Sequence, residues 1–495
     1  MCRRPMSCSP RSTSRNFRTG RRRPLVATPQ STIRRPALAA ATFATIAILL
    51  LPRPATAEHI VLEELPRRAF LGVSFNAGEN GNPQIASVAR DAAAYKAGLR
   101  EDDLILQVDE HVMGQPGALT TALTGKRGGD VLKVRLQRGE EEVELDVTLE
   151  GAPLEPAEGF DSIYDGVELD GGDTKLRSIT LRPEGQTQAA PAVLFVQGLA
   201  CSSVEQPIGA EPNTVLRLIQ GLANAGFVVM RVEKMGIGDS SGEEHCRDIG
   251  FHREVEGFAA AARKLKTYDF VDASQIYVFG HSMGGIQGPM VVNQEDLAGI
   301  MVFGTGIKAW GEYLVDNTRR QSRLNPEADR VEIEATARQM ARFYHYLFRE
   351  GLEVKEIAAA HPDLAAIGSA AFPDGTHGYT RHVNFFRELD AVNMAGVWAE
   401  VEVPVLALFG EYDFATSREA HEYIVEIVNQ KHPDQARFVQ IPQMFHAFNL
   451  RDSMEQALQD PWNGEFGEQI VDECVAFLLD AGAQPPMVRA TEGRR

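Results

Sequence analysis

Residues 275–285 run from an apolar, β-branched and aromatic stretch (Ile276, Tyr277, Val278, Phe279) straight into Gly280, His281, Ser282, Met283, Gly284 and Gly285. A chain that turns this sharply from strand into helix leaves no room for a Cβ on either flank of the turn, so glycine at 280 and 284 is a steric demand. The resulting G-x-S-x-G places Ser282 at the tip as the candidate nucleophile. Such a pentapeptide recurs by chance in a chain with 44 glycines, so its weight comes from what surrounds it.

A serine nucleophile needs a base, an acid that orients the base, and N–H donors for a developing oxyanion. Upstream, residues 192–197 form an apolar strand that breaks at Gly198, so the backbone N–H groups of Leu199 and Met283 are the candidate oxyanion donors. Downstream, the apolar run 403–410 ends in a turn carrying Glu411 and Asp413, the two candidate acids. A helical segment at 418–428 and a strand at 437–442 follow, then a loop with His446, the candidate base. His281 adjoins the serine but points away from an exposed tip, which suits a supporting role. His421 and His432 fall on or beside an amphipathic helix and are expected in solvent.

In the order Ser282, Asp413, His446, residues 161–482 resemble the α/β-hydrolase superfamily, in particular its dienelactone hydrolase and prolyl-oligopeptidase-like members. The resemblance selects Asp413 over Glu411 through the pattern G-x-x-D. It implies a leading strand pair at 164–183 and a core strand at 226–232. It also implies that the glycine-rich 236–242 is a structural turn, and no helix with an acidic follower supports a dinucleotide site there. Gln197 stands where such hydrolases usually carry histidine. A helical lid is expected at 308–398, with helical periodicity at 330–349 and 383–389. Of its aromatics Trp310, Tyr313, Phe343, Tyr346, Phe372, Phe385 and Phe386, two or three are expected to reach the substrate and the rest to be core.

Ahead of this region, residues 70–75 and the A-G-L-x-x-x-D-x-I pattern at 97–105 resemble a PDZ domain of the bacterial protease-associated type, completed by strands at 129–137 and 142–148 and a helix at 116–124. That resemblance implies capture of a peptide C-terminus by the backbone N–H groups of Leu71, Gly72 and Val73. A PDZ fold that only packs is the competing expectation. The fold class is therefore α/β, an α/β-hydrolase fold with a lid insertion, preceded by a small α+β PDZ domain at 66–150. A linker at 151–160 and a tail at 483–495 complete the layout.

The first 57 residues contain arginines but no Asp or Glu, then a largely apolar run at 37–51 and a small-x-small site at Ala55 and Ala57. This is the pattern of a cleaved export signal, too short for a membrane span. Twin arginines at 22–23 and 34–35 are compatible with twin-arginine export. Losing those 11 arginines takes the formal charge from −18 to −29, so nucleic acid and anionic membrane surfaces are not expected partners. Of five cysteines, Cys2 and Cys8 leave with the signal and Cys474 is expected as a free core residue. Similar secreted hydrolases carry a cysteine pair where Cys201 and Cys246 fall, which implies a disulfide.

No metal-ligand spacing and no cofactor site is found. The expected activity is hydrolysis of carboxylic esters by an exported serine hydrolase. A peptidase fed by the PDZ domain is a second reading, and a non-catalytic PDZ binding protein a third.

Overall fold

A computed structural model describes residues 58–115, 118–156 and 159–486. The expected export signal at 1–57 and the end of the tail lie outside the described residues. Among the described residues the first element is β1 (His59–Val61), which pairs in parallel with a strand a hundred residues later. The chain then leaves to build the smaller module from β2 (Val73–Ala77), β3 (Pro83–Val88), α1 (Ala93–Ala97), β4 (Leu104–Val108), α2 (Ala118–Leu123), β5 (Val131–Arg138) and β6 (Glu141–Thr148). These strands lie in the order β2-β3-β4-β5-β6, with His111–Val112 also paired to β4. Alternate residues of β5, Leu132, Val134 and Leu136, enter its core with Ile85, Ile105 and Val147. Within the motif at 70–75, Gly72 adopts a left-handed φ of 77° and separates two pairings: Ala69–Phe70 pairs with Glu150–Gly151, and β2 pairs with β3.

The larger module continues with β7 (Phe160–Leu169), β8 (Thr174–Pro183), β9 (Ala190–Val196), α3 (Thr214–Asn224), β10 (Val228–Val232), α4 (Phe251–Leu265), β11 (Val271–His281), α5 (Gly284–Gln294) and β12 (Gly299–Phe303). The inserted helices α6 (Trp310–Arg323), α7 (Arg330–Tyr344) and α8 (Val383–Ala391) follow, then β13 (Val405–Gly410), α9 (Arg418–Lys431), β14 (Ala436–Ile441) and α10 (Gln469–Asp480). Nine strands form one sheet in the order β1-β7-β8-β10-β9-β11-β12-β13-β14, parallel from β10 to β14. Strands buried on both faces read as continuous apolar runs, and here the period of two divides the runs between two cores. Leu194, Val278, Ile300 and Ala407 face α4, α5 and the insertion, whereas Phe195, Phe279, Met301 and Leu408 face α3 and α10.

The sheet thus takes its first strand from residues that precede the smaller module, so that module is tethered at both ends. The connection at 151–160 is also anchored. Glu155 is buried, pairs with Arg231, and accepts a hydrogen bond from the Gln206 N–H at 3.0 Å.

The glycine-rich turn at 236–242 is the docking point. Its Asp239 accepts from Arg67 and from the Arg68 N–H at 2.7 Å, and Arg127 donates to the Gly238 and Ser240 carbonyls at 2.5 and 2.7 Å. Arg67 also bridges to Glu205 at 2.8 Å. Asp239 and Glu205 are almost fully buried, and each has a second cation, Arg177 for Asp239 and Arg68 for Glu205, so removing Arg67 costs the hydrogen bonds it makes to two charged groups without leaving either unpaired. Arg67→Ala is therefore expected to lower unfolding free energy by about 2 kcal/mol, read as a shifted midpoint in urea denaturation. An unshifted midpoint would show that this docking carries no net stability.

Candidate active site

The site forms at the carboxyl edge of the parallel strands, where β9 is flanked on one side by β10 and on the other by β11. Loops leaving adjacent strands diverge at such a point and open a crevice. Register brings Val196 beside Gly280, and this closeness explains the glycines. A Cβ on Gly280 would overlap the Gly284 carbonyl, and one on Gly284 would overlap the Val196 carbonyl. Ser282 itself takes φ = 57°, a conformation that costs a non-glycine residue on the order of 1–3 kcal/mol and that clusters at functional sites. Its N–H donates to the Phe303 carbonyl at 2.9 Å.

His446 and Asp413 meet beside it, the imidazole Nδ1 lying 2.8 Å from the carboxylate Oδ2. Asp413 is buried and fully coordinated: its Oδ1 accepts from the Ala415 and Thr416 N–H groups at 2.7 and 3.0 Å, and its Oδ2 from the Thr416 hydroxyl at 2.7 Å. Burial pushes this carboxyl up, but the facing imidazole and these hydrogen bonds outweigh it and hold the group well below the usual carboxylate range. Glu411, the other candidate acid, is exposed and accepts the Gln443 N–H at 2.8 Å instead.

His281 turns from the tip, as expected. Its Nε2 lies 2.9 Å from the His446 carbonyl and its ring packs on Phe448 at 4.5 Å. Burial drives its pKa down to about 3, so the neutral ring donates to that carbonyl and braces the His446 loop. His421 corrects the sequence reading. It is fully buried, because it shares the inward stripe of α9 with Ile424 and Val428 at spacings of three and seven. Its Nε2 accepts the Thr305 N–H at 3.0 Å and its Nδ1 donates to the Ser417 carbonyl at 2.8 Å. His432 is half-buried where α9 ends.

Ser282 and Leu199 line two cavities. One, of about 310 Å³, is walled by Ile286, Trp310, Tyr313, Leu314 and Tyr379. The other, of about 300 Å³, is walled by Val215, Leu216, Ile219, His446 and Trp462. Of the seven lid aromatics singled out from sequence, Trp310 and Tyr313 reach the first cavity, whereas Phe343, Phe372, Phe385 and Phe386 are core. Tyr346 stacks on His361 instead.

Tyr379 was missed because it stands on a short turn outside the helical periodicity. Gly304 was missed too. It has a left-handed φ of 62°, and a Cβ there would stand 2.7 Å from the His446 Nδ1, so only glycine leaves room for the imidazole. Its following β12 was the available signal. Cys201 and Cys246 are bonded, their Cα atoms 5.8 Å apart, joining the loop after β9 to the loop after β10. Cys474 is free and buried, and Gln197 donates to the Val232 carbonyl at 3.1 Å.

Parallel strands with this switch point, a strained serine between strand and helix, and a His–Asp pair on the last two strand ends form one arrangement. The PDZ domain family model matches residues 69–149, and the prolyl oligopeptidase family model matches residues 214–349. The chain has the α/β-hydrolase fold with an N-terminal PDZ domain. Among curated proteins the chain is similar to the esterase EstD of Thermotoga maritima, 20% identical over 290 residues. The match covers 58% of this chain and 62% of that esterase, so it spans less than two thirds of the relative.

Among solved structures it is similar to Est1E from Butyrivibrio proteoclasticus (17% identity, TM-score 0.40, 65% of this chain and 98% of that one). It is also similar to the α/β hydrolase GrgF from a Penicillium species (18% identity, TM-score 0.40, 64% and 97%).

The buried imidazoles give the fold an acid limit. Burial lowers the folded pKa of His421 to about 4 and that of His281 to about 3, while an unfolded histidine titrates near 6.5. Between those values the unfolded chain binds more protons, so these groups contribute stability that is present above about pH 6.5 and lost as pH falls toward 4. Thermal melts from pH 7 to 4 should show Tm falling across that window, with a shallower fall in His421→Asn. An equal slope in the variant would show that His421 is not among the groups responsible.

Proposed function

We propose that this chain is an exported serine hydrolase that cleaves carboxylic esters through an acyl-enzyme. The observation that carries the reading is the strained Ser282 at the junction of two apolar-walled cavities, next to the His446–Asp413 pair. Two pockets meeting at one hydroxyl suit a substrate with a group on each side of the scissile bond.

In this reading the His446 Nε2 takes the Ser282 proton as Oγ attacks the ester carbonyl carbon. The carbonyl oxygen becomes an oxyanion held by the Leu199 and Met283 N–H groups. The alcohol departs with the proton from His446, and water, deprotonated by the same ring, then releases the acid and restores Ser282. Asp413 holds the Nδ1–H tautomer and stabilises the imidazolium. The resemblance of the chain to EstD supports the ester over the amide. The bonded cysteines are compatible with an oxidising compartment, and among the described residues no helix is long and apolar enough to cross a membrane.

A peptidase reading is favoured by one observation. Among the described residues strand β2 is paired only with β3 and forms the edge of the PDZ sheet, so an extended peptide could add beside it, with its carboxylate at Leu71, Gly72 and Val73. Turnover of p-nitrophenyl esters of graded acyl length beside aminoacyl and peptidyl amides separates the two. Ester hydrolysis is expected to dominate.

Ser282→Ala should keep the fold and lose roughly 10⁴- to 10⁶-fold in kcat, and a fluorophosphonate probe should label only the wild type. Equal labelling of both would overturn the assignment of Ser282. Asp413→Asn should cost about 10⁴-fold by presenting the wrong imidazole tautomer, and Glu411→Gln far less; the reverse ranking would move the acid to Glu411.

A further inference from the structure

Behind the loop that follows β9 lies a charged cluster that the reaction above does not use. Lys234, Glu254 and Arg381 have side chains 1%, 3% and 0% exposed. Glu254 on α4 receives Lys234 at 3.0 Å, Arg381 at 2.6 Å and the Gln287 amide at 3.0 Å. Two cations thus share one carboxylate, an arrangement with one buried positive charge more than the ion pairs require. Burial, with Arg381 adding repulsion, lowers the Lys234 pKa to about 8. A cluster that served only to join elements would be cheaper if neutral.

The surplus charge points at backbone. Lys234 Nζ donates to the Gly198 carbonyl at 2.5 Å, and Arg381 donates to the Leu199 carbonyl through Nε at 2.9 Å and Nη2 at 2.8 Å. The Gly198 carbonyl and the Leu199 N–H belong to one peptide group, which is trans and planar, so its C=O and N–H point in opposite directions. Holding the carbonyl on the core side therefore turns the Leu199 N–H toward the crevice. That peptide adjoins the serine: a Cβ built on Gly198 would stand 3.3 Å from the Ser282 Cβ. A cation on the carbonyl also polarises the peptide and strengthens its N–H as a donor.

We propose that Lys234 and Arg381 are positioning residues for the Leu199 N–H as an oxyanion donor: Lys234 fixes and polarises the Gly198–Leu199 peptide that carries it, and Arg381 pins the far side of Leu199 through the carbonyl of the next peptide group. Lys234 comes from the end of the neighbouring strand, and Arg381 reaches in from the insertion, where it also grips the Cys246 carbonyl at 2.6 Å. The idea rests on hydrolysis at Ser282. Activity of the wild type and its loss in Ser282→Ala test that reading separately.

The test is Lys234→Met in the full chain. It leaves Glu254 paired with Arg381 and so removes charge without orphaning the carboxylate. Expected are a loss of roughly 10²-fold in kcat, by comparison with removal of one oxyanion donor, a KM within about threefold of the wild type, and a matching loss of affinity for a trifluoromethyl ketone, whose adduct with serine carries the oxyanion. Arg381→Lys keeps the charge but not the forked grip on Leu199, and should lose about tenfold in kcat by the same comparison; it decides the matter should Lys234→Met fail to fold. Unchanged kcat, or a loss confined to KM with ketone affinity intact, would overturn the proposal while leaving hydrolysis at Ser282 standing.

Discussion

The pairing of β9 with β11 is the contact on which the rest depends. Because Val196 sits beside Gly280 in register, the chain after β9 and the turn after β11 compete for the same space, and both yield by carrying glycine. The result is a serine held in a left-handed conformation, with the Gly198 peptide packed against it. Strain of this kind persists only where the surroundings over-determine it. Here the surroundings are a five-residue parallel ladder buried on both faces, the hydrogen bond from the Ser282 N–H to β12, and a helix that begins two residues later.

A second layer of constraint is electrostatic. Three buried ionic groups converge on the loops at the carboxyl edge: Glu155 with Arg231, Asp239 with Arg67 and Arg177, and Glu254 with Lys234 and Arg381. Buried pairs add little net stability compared with apolar packing, but each has a narrow geometry. The loop after β9 is held by several of them at once. Its Glu205 meets Arg67 and Arg68 of the smaller module, its Ser203 and Val204 bind Glu233, and its Cys201 is bonded to Cys246. Burial raises the Glu233 pKa to about 7, another sign that these loops are ordered by polar contacts in a dry setting. The PDZ domain is therefore joined to the same loop that borders Ser282, and its docking and the geometry of the crevice are mechanically continuous.

The insertion contributes in two ways. Most of its aromatics build a core of their own, with Trp310 stacked on Phe386 at 5.4 Å and Phe385 packed against Phe251 of α4 at 5.6 Å. That core presents Trp310, Tyr313 and Tyr379 to one cavity, so the wall of the pocket is as rigid as the packing behind it. Arg381 then carries the insertion inward to the Leu199 carbonyl, and a segment that shapes the pocket also touches the backbone beside the serine.

The strand-to-helix turn at Ser282 and the parallel α/β architecture were legible in the sequence through local steric rules and apolar periodicity, whereas the PDZ domain and the choice of Asp413 over Glu411 came from resemblance to known families. His421 was within reach, since its spacing to Ile424 and Val428 marks an inward stripe, but a histidine on an amphipathic helix was read as solvated. What the chain alone did not reveal are contacts between residues far apart in number. A strand before the PDZ domain joins the sheet beyond it, a glycine-rich turn serves as that domain's anchor, and Gly304 clears space for His446. Likewise Lys234 and Arg381, 147 positions apart in the chain, meet on one carboxylate. Local sequence determines which way a segment can turn and which face it buries, whereas only the closed sheet decides which buried charges share a space and which carbonyl they hold.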